Sequence, residues 1–219
     1  MLIWASALSL ALWVVPLLRL ALLPLIYYNT HIHELCHALA GELSGGDVDF
    51  IHVFADGSGV TRTLGGSAVL LATAGYVGSA IVGGMLIFGS RTVTSAKRML
   101  WIAAGFLAIS MVFFVRGELV GVLTGIGWTF TLGAMAYWLK GDANIFAVQF
   151  LGVQQCLTSV YAFLALIKVS SLPGNQPSDA ANMEKITHVP AMVWAVLWLL
   201  IALAAIGFGI RSAWNQRPR

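Results

Sequence analysis

Long stretches without a charged residue dominate the sequence, and they decide in which environment the chain can fold. The 219 residues include only 12 Lys and Arg and 9 Asp and Glu, which is 10% of the chain, whereas 59% are hydrophobic. A soluble domain carries about 25% charged residues, because its surface has to face water. A bilayer instead favours long apolar segments. A soluble globular protein is therefore excluded, and we expect an integral membrane protein.

The uncharged stretches predict an all-α polytopic membrane protein with about six transmembrane helices, since each span needs about 20 apolar residues. The first predicted span covers residues 1–25, and four more lie within residues 64–168. The last predicted span covers residues 190–210. No stretch is left for a separate soluble domain, so residues 1–219 are predicted to form a single membrane domain.

Residues 26–44 have a helical composition but are unusually polar for this chain. Ionisable groups are costly inside a membrane and usually face a protein interior or a water-filled cavity. We therefore predict an inserted helix that is polar on one face. Its ionisable residues are His31, His33, Glu34, His37 and Glu42.

Residues 47–63 predict a short β-hairpin, the only element here without a helical pattern. Apolar residues flank Asp56-Gly57, a pair that favours tight hairpin turns. Backbone polar groups of a hairpin are not all satisfied internally, so we expect it to lie against protein or a water-filled cavity and not against lipid.

Residues 169–189 predict a loop that ends at a helix N-terminus. Pro173 and Pro177 interrupt the helical pattern, and Ser178-Asp179 follows as a helix-capping pair. Four predicted spans separate the hairpin from this loop. Because that number is even, we expect both segments on the same side of the membrane.

The strongest local signal is His33-Glu34-Leu35-Cys36-His37, which matches the pattern HExxH. On a helix, His33 and His37 share one face and can bind one metal ion, whereas Glu34 lies about 100° away. One Zn²⁺ ion suits such a site, since it accepts imidazole and carboxylate ligands and leaves a position for water. Glu34 is then the candidate general base on that water and the proton donor to the leaving amine. The alternative is a polar face that lines a cavity or binds haem or another metal.

A third protein ligand is needed, and the sequence leaves several candidates. Asp142 is excluded because parity puts it on the opposite side of the membrane. Asp179 is placed best, at the start of a helix on the side of the hairpin, although it can also serve as a helix cap without a metal. Asp47, Asp49 and His52 are the main alternatives. The full set of candidates is Asp47, Asp49, Asp56, Asp142, Asp179, Glu118, His31, His52 and His188.

HELCHALAGELSGG, a hairpin with ADGSGVT and a later SDAANMEKITHVPAMVW occur in this order. The arrangement resembles the site-2-protease class of intramembrane zinc metallopeptidases, specifically the compact bacterial group without a PDZ domain. The resemblance covers most of the chain and implies zinc held by His33, His37 and Asp179, with Glu34 as the catalytic residue. It also implies a bacterial plasma-membrane enzyme that cleaves membrane-protein substrates within or near the bilayer. Better-known members place the aspartate in an Asn-Pro…Leu-Asp-Gly context, which this chain lacks.

Other polar residues have weaker assignments. Gln154 and Gln155 lie in the middle of an apolar span and are predicted either to hydrogen-bond a neighbouring helix or to bind an unwound substrate backbone. His31 lies on another helix face than His33 and is predicted to face a cavity without binding metal. The hairpin either pairs with an extended substrate by strand addition or restricts the entry of water.

The function predicted from these features is zinc-dependent hydrolysis of peptide bonds, with a membrane-protein substrate and the lipid bilayer as partners. One alternative is a non-catalytic metal-binding membrane protein, such as a pseudoprotease or a transporter-like protein, for which Glu34 is dispensable. Another is a membrane hydrolase with a non-peptide substrate. No phosphate-binding glycine loop is present, so we expect no nucleotide cofactor, and nothing predicts binding of nucleic acid.

Overall fold

The structure is a computed structural model that describes residues 1–170 and 178–214. It confirms the all-α membrane fold with a short hairpin, whose two antiparallel strands form a two-stranded sheet. Pro173 and Pro177 of the predicted loop lie outside the described residues. The helices are α1 Leu2–Val14, α2 Leu22–Leu43, α3 Ala68–Gly89, α4 Val93–Phe113, α5 Leu119–Trp138, α6 Asp142–Ser170, α7 Asp179–Thr187 and α8 Ala191–Trp214, and the strands are β1 Gly46–Val53 and β2 Gly59–Gly65.

Five helices, α3, α4, α5, α6 and α8, are long and apolar enough to cross a membrane. The N-terminal region, which is predicted as one span over residues 1–25, is not one continuous helix. It divides into the 13-residue α1, a 3-10 helix over Pro16–Ala21 and the start of α2. Proline lacks a backbone N–H and disfavours helix at the preceding residue, and Val15 is accordingly extended. At about 1.5 Å per residue, α1 is shorter than the apolar core of a bilayer.

The predicted inserted helix is α2, which begins at Leu22 and is enclosed by protein on several sides. It packs against α3, α5 and both strands of the hairpin. Polar side chains on α2 are buried in these contacts, including Asn29, His31, Glu34 and His37. A helix with so many buried polar groups is stable only where neighbouring elements supply partners.

The hairpin lies against protein, as its sequence predicts. Its turn contains Asp56, whose carboxylate accepts hydrogen bonds from the backbone N and the Oγ of Ser58, and Gly57 at a φ of +85°. The outer edge of β1 is also paired. Ile51 N donates to Phe114 O at 2.8 Å, and Arg116 N donates to Ile51 O at 3.1 Å. The chain that joins α4 to α5 therefore covers this edge.

Helix α3 occupies the centre of the helical packing, against α2, α6 and α8. The row Gly75, Ser79 and Gly83 predicts close helix packing, and Gly83 lies directly against α6. A Cβ atom on Gly83 would lie 3.1 Å from the backbone N of Cys156 and 3.2 Å from the backbone O of Gly152. This close approach packs α3 tightly against α6, while another part of α3 contacts α2 and α7.

Candidate metal centre

Two histidines of α2 and one aspartate of α7 meet beside α3. The Nε2 atoms of His33 and His37 lie 3.1 Å apart. The Oδ2 atom of Asp179 lies 3.8 Å from the Nε2 of His33 and 3.3 Å from the Nε2 of His37. These side chains form the one group with metal-binding composition and spacing found in residues 1–170 and 178–214. The helical spacing explains the histidine pair, because residues four apart share one face.

The ring of His37 is held in the orientation that a metal ligand needs. Its Nδ1 lies 2.6 Å from the backbone oxygen of Leu71 in α3. A carbonyl oxygen can only accept a hydrogen bond, so Nδ1 carries a proton, and Nε2 is the ring nitrogen left to bind a metal. Metal-binding histidines commonly donate their other ring N–H in this way, which fixes the tautomer.

The distances among the three donor atoms fit a zinc ion. Bonds of about 2.0–2.2 Å in a tetrahedral arrangement place ligand atoms about 3.3–3.5 Å from one another. The observed separations of 3.1, 3.3 and 3.8 Å bracket that range. Two imidazoles and one carboxylate are also a donor set that zinc prefers.

A glycine of α3 provides the space for the two imidazoles. A Cβ atom on Gly75 would lie 2.2 Å from His37 Nε2 and 2.4 Å from His33 Nε2, which is too close for any side chain. The ring of Tyr76 packs edge-on against His33, with centroids 4.8 Å apart. Helix α3 therefore shapes the site through its backbone as well as through its side chains.

Asp179 is free to face the histidines because its neighbour caps the helix. The Oγ of Ser178 accepts a hydrogen bond of 3.2 Å from the backbone N of Ala181. Burial alone would raise the pKa of Asp179, but hydrogen bonds to His33 and His37 and the charges of both rings outweigh it, and the pKa lies below its usual range. The carboxyl group is thus held in the ionised form that binds a cation.

Glu34 turns towards the hairpin. The Oγ1 of Thr61 in β2 lies 2.7 Å from Glu34 Oε2 and 3.0 Å from the backbone oxygen of Glu34. A Cβ atom on Gly59 would lie 2.7 Å from Glu34 Oε1, so the strand approaches the carboxylate closely. Among the residues described, no protein group donates a hydrogen bond to Oε1. This oxygen is therefore the one available to another molecule.

Comparison with known protein families shows to which family the chain belongs. A family described as Peptidase M50B-like matches residues 2–209, which is nearly the whole sequence. The chain belongs to this family. Comparisons with curated proteins and with solved structures gave no significant match. The predicted site-2-protease-like resemblance is confirmed, and membership in the Peptidase M50B-like family makes the chain a membrane metallopeptidase by family.

The alternative third ligands of this M50B-like protein lie apart from the histidine pair. Asp47 is exposed on β1, and Asp49 is 3.5 Å from Arg62 in an exposed ion pair. The ring of His52 stacks on Phe50, with centroids 4.0 Å apart. None of these side chains belongs to the group that could hold a metal ion in the described part of the chain.

His31 and the two predicted substrate-binding glutamines are buried in the M50B-like fold. His31 lies 3.1 Å from the Oγ1 of Thr124 in α5, through its Nε2. Gln154 accepts a hydrogen bond from the indole N–H of Trp13 in α1. The side chain of Gln155 has no hydrogen-bond partner among the residues that the structure describes. A role of either glutamine in holding substrate stays a prediction.

Sequence reasoning missed Gly75, Tyr76 and Thr61 as parts of the site. The glycine row that includes Gly75 predicted that another element packs closely on α3, and it does. The row did not indicate that the close neighbours of Gly75 are histidine rings. Thr61 had no signal of its own, because its role depends on how the hairpin packs on α2.

Proposed function

We propose that this chain is an intramembrane zinc metalloendopeptidase that hydrolyses peptide bonds of membrane-protein substrates within or near the bilayer of a bacterial plasma membrane. The observation that carries the proposal is the convergence of His33, His37 and Asp179 from two helices far apart in sequence. Membership in the Peptidase M50B-like family supports it. Among the described residues, five helices are long and apolar enough to span a membrane, and one of them, α3, packs against both α2 and α7.

In this proposal the Nε2 atoms of His33 and His37 and the carboxylate of Asp179 hold one zinc ion. Zinc, when bound, supplies Lewis acidity, which makes water easier to deprotonate near neutral pH and polarises a peptide carbonyl. The His37 ring is already oriented by Leu71, and Asp179 is already ionised. The chain therefore presents these ligands with little rearrangement.

Glu34 moves the protons. Its Oε2 is engaged by Thr61, so Oε1 is the atom that takes a proton from the attacking water and passes it to the leaving amine. The side chain is only 4% exposed. Exclusion of bulk water strengthens its interaction with the reacting groups.

The substrate segment is proposed to bind in an extended form along β2. The outer edge of β1 is paired with the chain between α4 and α5, whereas β2 has no second strand neighbour within the described residues. Strand addition would present the peptide backbone next to Glu34, and a helical substrate would have to unwind before it could pair. This arrangement favours the substrate-pairing role of the hairpin over the alternative that it restricts water.

The test compares three variants of the purified protein and one control variant with the unchanged chain, measuring zinc content and cleavage of a membrane-protein substrate. We expect Glu34→Gln to keep one zinc per chain but to lose about 10²- to 10⁴-fold in cleavage rate, because only the proton transfer is removed. We expect His37→Ala and Asp179→Ala to lose zinc and cleavage together. Asp49→Ala serves as a control and should retain both.

Two outcomes would overturn the proposal. Full cleavage by Glu34→Gln would show that Glu34 is not the base. Unchanged zinc content in Asp179→Ala would remove this residue from the ligand set. The alternative of a non-catalytic metal-binding protein predicts different results. The unchanged chain would then bind zinc but cleave no membrane-protein substrate, and its biological function would survive Glu34→Gln.

A further inference from the structure

The hydroxyl of Thr61 joins the hairpin to the proposed catalytic base. Its Oγ1 lies 2.7 Å from Glu34 Oε2 and 3.0 Å from the backbone oxygen of Glu34. A hydroxyl has one proton to donate, and the shorter distance and the negative charge favour the carboxylate. Thr61 is thus the hydrogen-bond donor that the structure provides to the Glu34 carboxylate within the described residues.

The rest of the hairpin is fixed to the same face of α2. The hydroxyl of Tyr27 donates to the backbone oxygen of Ala55 at 2.7 Å, and the hydroxyl of Thr30 donates to the backbone oxygen of Gly57 at 2.7 Å. Tyr27, Thr30 and Glu34 follow the spacing of one helix face. The turn and the strand are therefore held along the same line of side chains that ends at Glu34.

The backbone of Thr61 lies at the open edge of the sheet. Thr61 pairs with Ile51 in the antiparallel register. Both backbone groups of Ile51 bond to the chain at Phe114 and Arg116, on the side away from β2. In an antiparallel pair, a residue whose N–H and C=O point away from the neighbouring strand forms a non-hydrogen-bonded pair with the residue opposite. The N–H and C=O of that opposite residue then also point away from the pair. The N–H and C=O of Thr61 therefore point to the side where a further strand would pair.

We propose that Thr61 is a positioning residue that couples the orientation of Glu34 to the binding of an extended substrate on β2. The inference rests on the proposed function. The backbone of Thr61 is available to pair with the substrate. The side chain of Thr61 holds Oε2 of Glu34, which leaves Oε1 for the water. Substrate pairing at this residue fixes the strand and, through the same residue, the carboxylate.

The first test uses substitutions that change only the hydroxyl. Thr61→Val keeps the branched shape but cannot donate, so we expect kcat to fall about 10- to 100-fold with KM and zinc content nearly unchanged, because a misplaced base slows the chemical step. Thr61→Ser keeps the hydroxyl and should restore most of kcat. Thr63→Val is the matched control, since Thr63 lies on the same face of β2 and its buried hydroxyl has no partner among the residues described. It should leave kcat unchanged.

Equal kcat values for Thr61→Val and the unchanged chain would overturn the proposal. So would equal losses in Thr61→Val and Thr63→Val, or a failure of Thr61→Ser to restore activity. A loss expressed in KM alone would also contradict a role in orienting the base.

A second measurement does not depend on peptidase activity and so separates this inference from the proposed function. Thermal unfolding of the purified protein in detergent is followed for Thr61→Val, Glu34→Ala and the double variant. We expect Thr61→Val to lower Tm more when Glu34 is present than in Glu34→Ala, because the bond to Oε2 is then already lost and only the longer contact with the backbone oxygen of residue 34 remains. Additive changes in Tm would overturn the inference. Coupled changes in a protein that cleaves no substrate would support the Thr61 contact while the proposed function fails.

Discussion

Gly75 shows at the scale of one residue how a position without a side chain shapes the site. Its Cα faces both imidazoles so closely that an added Cβ would lie 2.2 Å from His37 Nε2. Contacts below about 3 Å between such atoms are repulsive, so the rings would have to turn away. The same α3 segment also accepts the hydrogen bond from His37 through Leu71.

We therefore expect Gly75→Ala to lower zinc affinity by about 10- to 100-fold, measured by zinc titration of the purified protein. Gly78→Ala is the matched control on the same helix. A Cβ there would lie 2.7 Å from the sulfur of Cys36 but touches neither histidine. It should reduce Tm while zinc binding persists. Equal zinc affinity in Gly75→Ala and the unchanged chain would contradict the close packing of α3 on the imidazoles.

At the scale of an element, the short helix α7 carries Asp179 and is fixed at both ends. Ser178 caps its N-terminus. At the other end, the carboxylate of Glu184 accepts a hydrogen bond from the backbone N of Ala191 in α8, and Thr187 accepts one from the indole of Trp194. A helix of nine residues is marginal in isolation, so these contacts determine where its first carboxylate lies.

Loss of the α7 cap should affect both stability and metal binding. We expect Ser178→Ala to lower the free energy of unfolding by about 1 kcal/mol and zinc affinity by about 10-fold, because the first turn that carries Asp179 loosens. Thr92→Ala removes the corresponding cap of α4, which lies away from the site. The Oγ1 of Thr92 accepts a hydrogen bond of 3.1 Å from the backbone N of Ser95. This control should lose similar stability but no zinc affinity. Undiminished zinc affinity in Ser178→Ala would show that the cap does not position Asp179.

At the scale of the whole molecule, close contacts between helix backbones hold α3 in the centre. Gly84 of α3 meets Gly209 of α8, where an added Cβ on Gly209 would lie 2.7 Å from the backbone oxygen of Gly84. Small residues let membrane helices approach closely, and this packing replaces much of the hydrophobic driving force that acts in water. The position of the candidate metal centre depends on α3, so it depends on these contacts as well.

Gly209→Ala tests this packing. We expect it to destabilise the protein by about 1–3 kcal/mol in thermal unfolding in detergent, since the added methyl group forces α3 and α8 apart. Gly207→Ala, on the same helix, meets no atom within 4 Å and should be neutral or slightly stabilising, because alanine favours helix. A Tm for Gly209→Ala that matches that of Gly207→Ala would show that the two backbones do not pack this closely.

The prediction from sequence succeeded where the pattern is local. The shortage of charge determined the membrane class, HExxH placed two histidines on one helix face, and Asp56-Gly57 marked the turn of the hairpin. Within residues 1–25, which hydrophobicity predicts as one span, the interruption of the helix was not predicted. Hydrophobicity alone predicts one helix over residues 1–25. Pro16 disfavours helix at the residue before it, so α1 ends at Val14 and a 3-10 helix begins at Pro16.

The sequence by itself thus determined the environment of the chain, its helical class and the histidine pair. Only the tertiary structure decided which carboxylate meets that pair, that Gly75 makes room for the rings and that Thr61 holds Glu34. Helix and turn patterns arise from interactions between residues close in the chain, so they can be recognised locally. The carboxylate of Asp179 reaches the histidines only because α2, α3 and α7 pack together, and such packing depends on contacts between segments that no local pattern specifies.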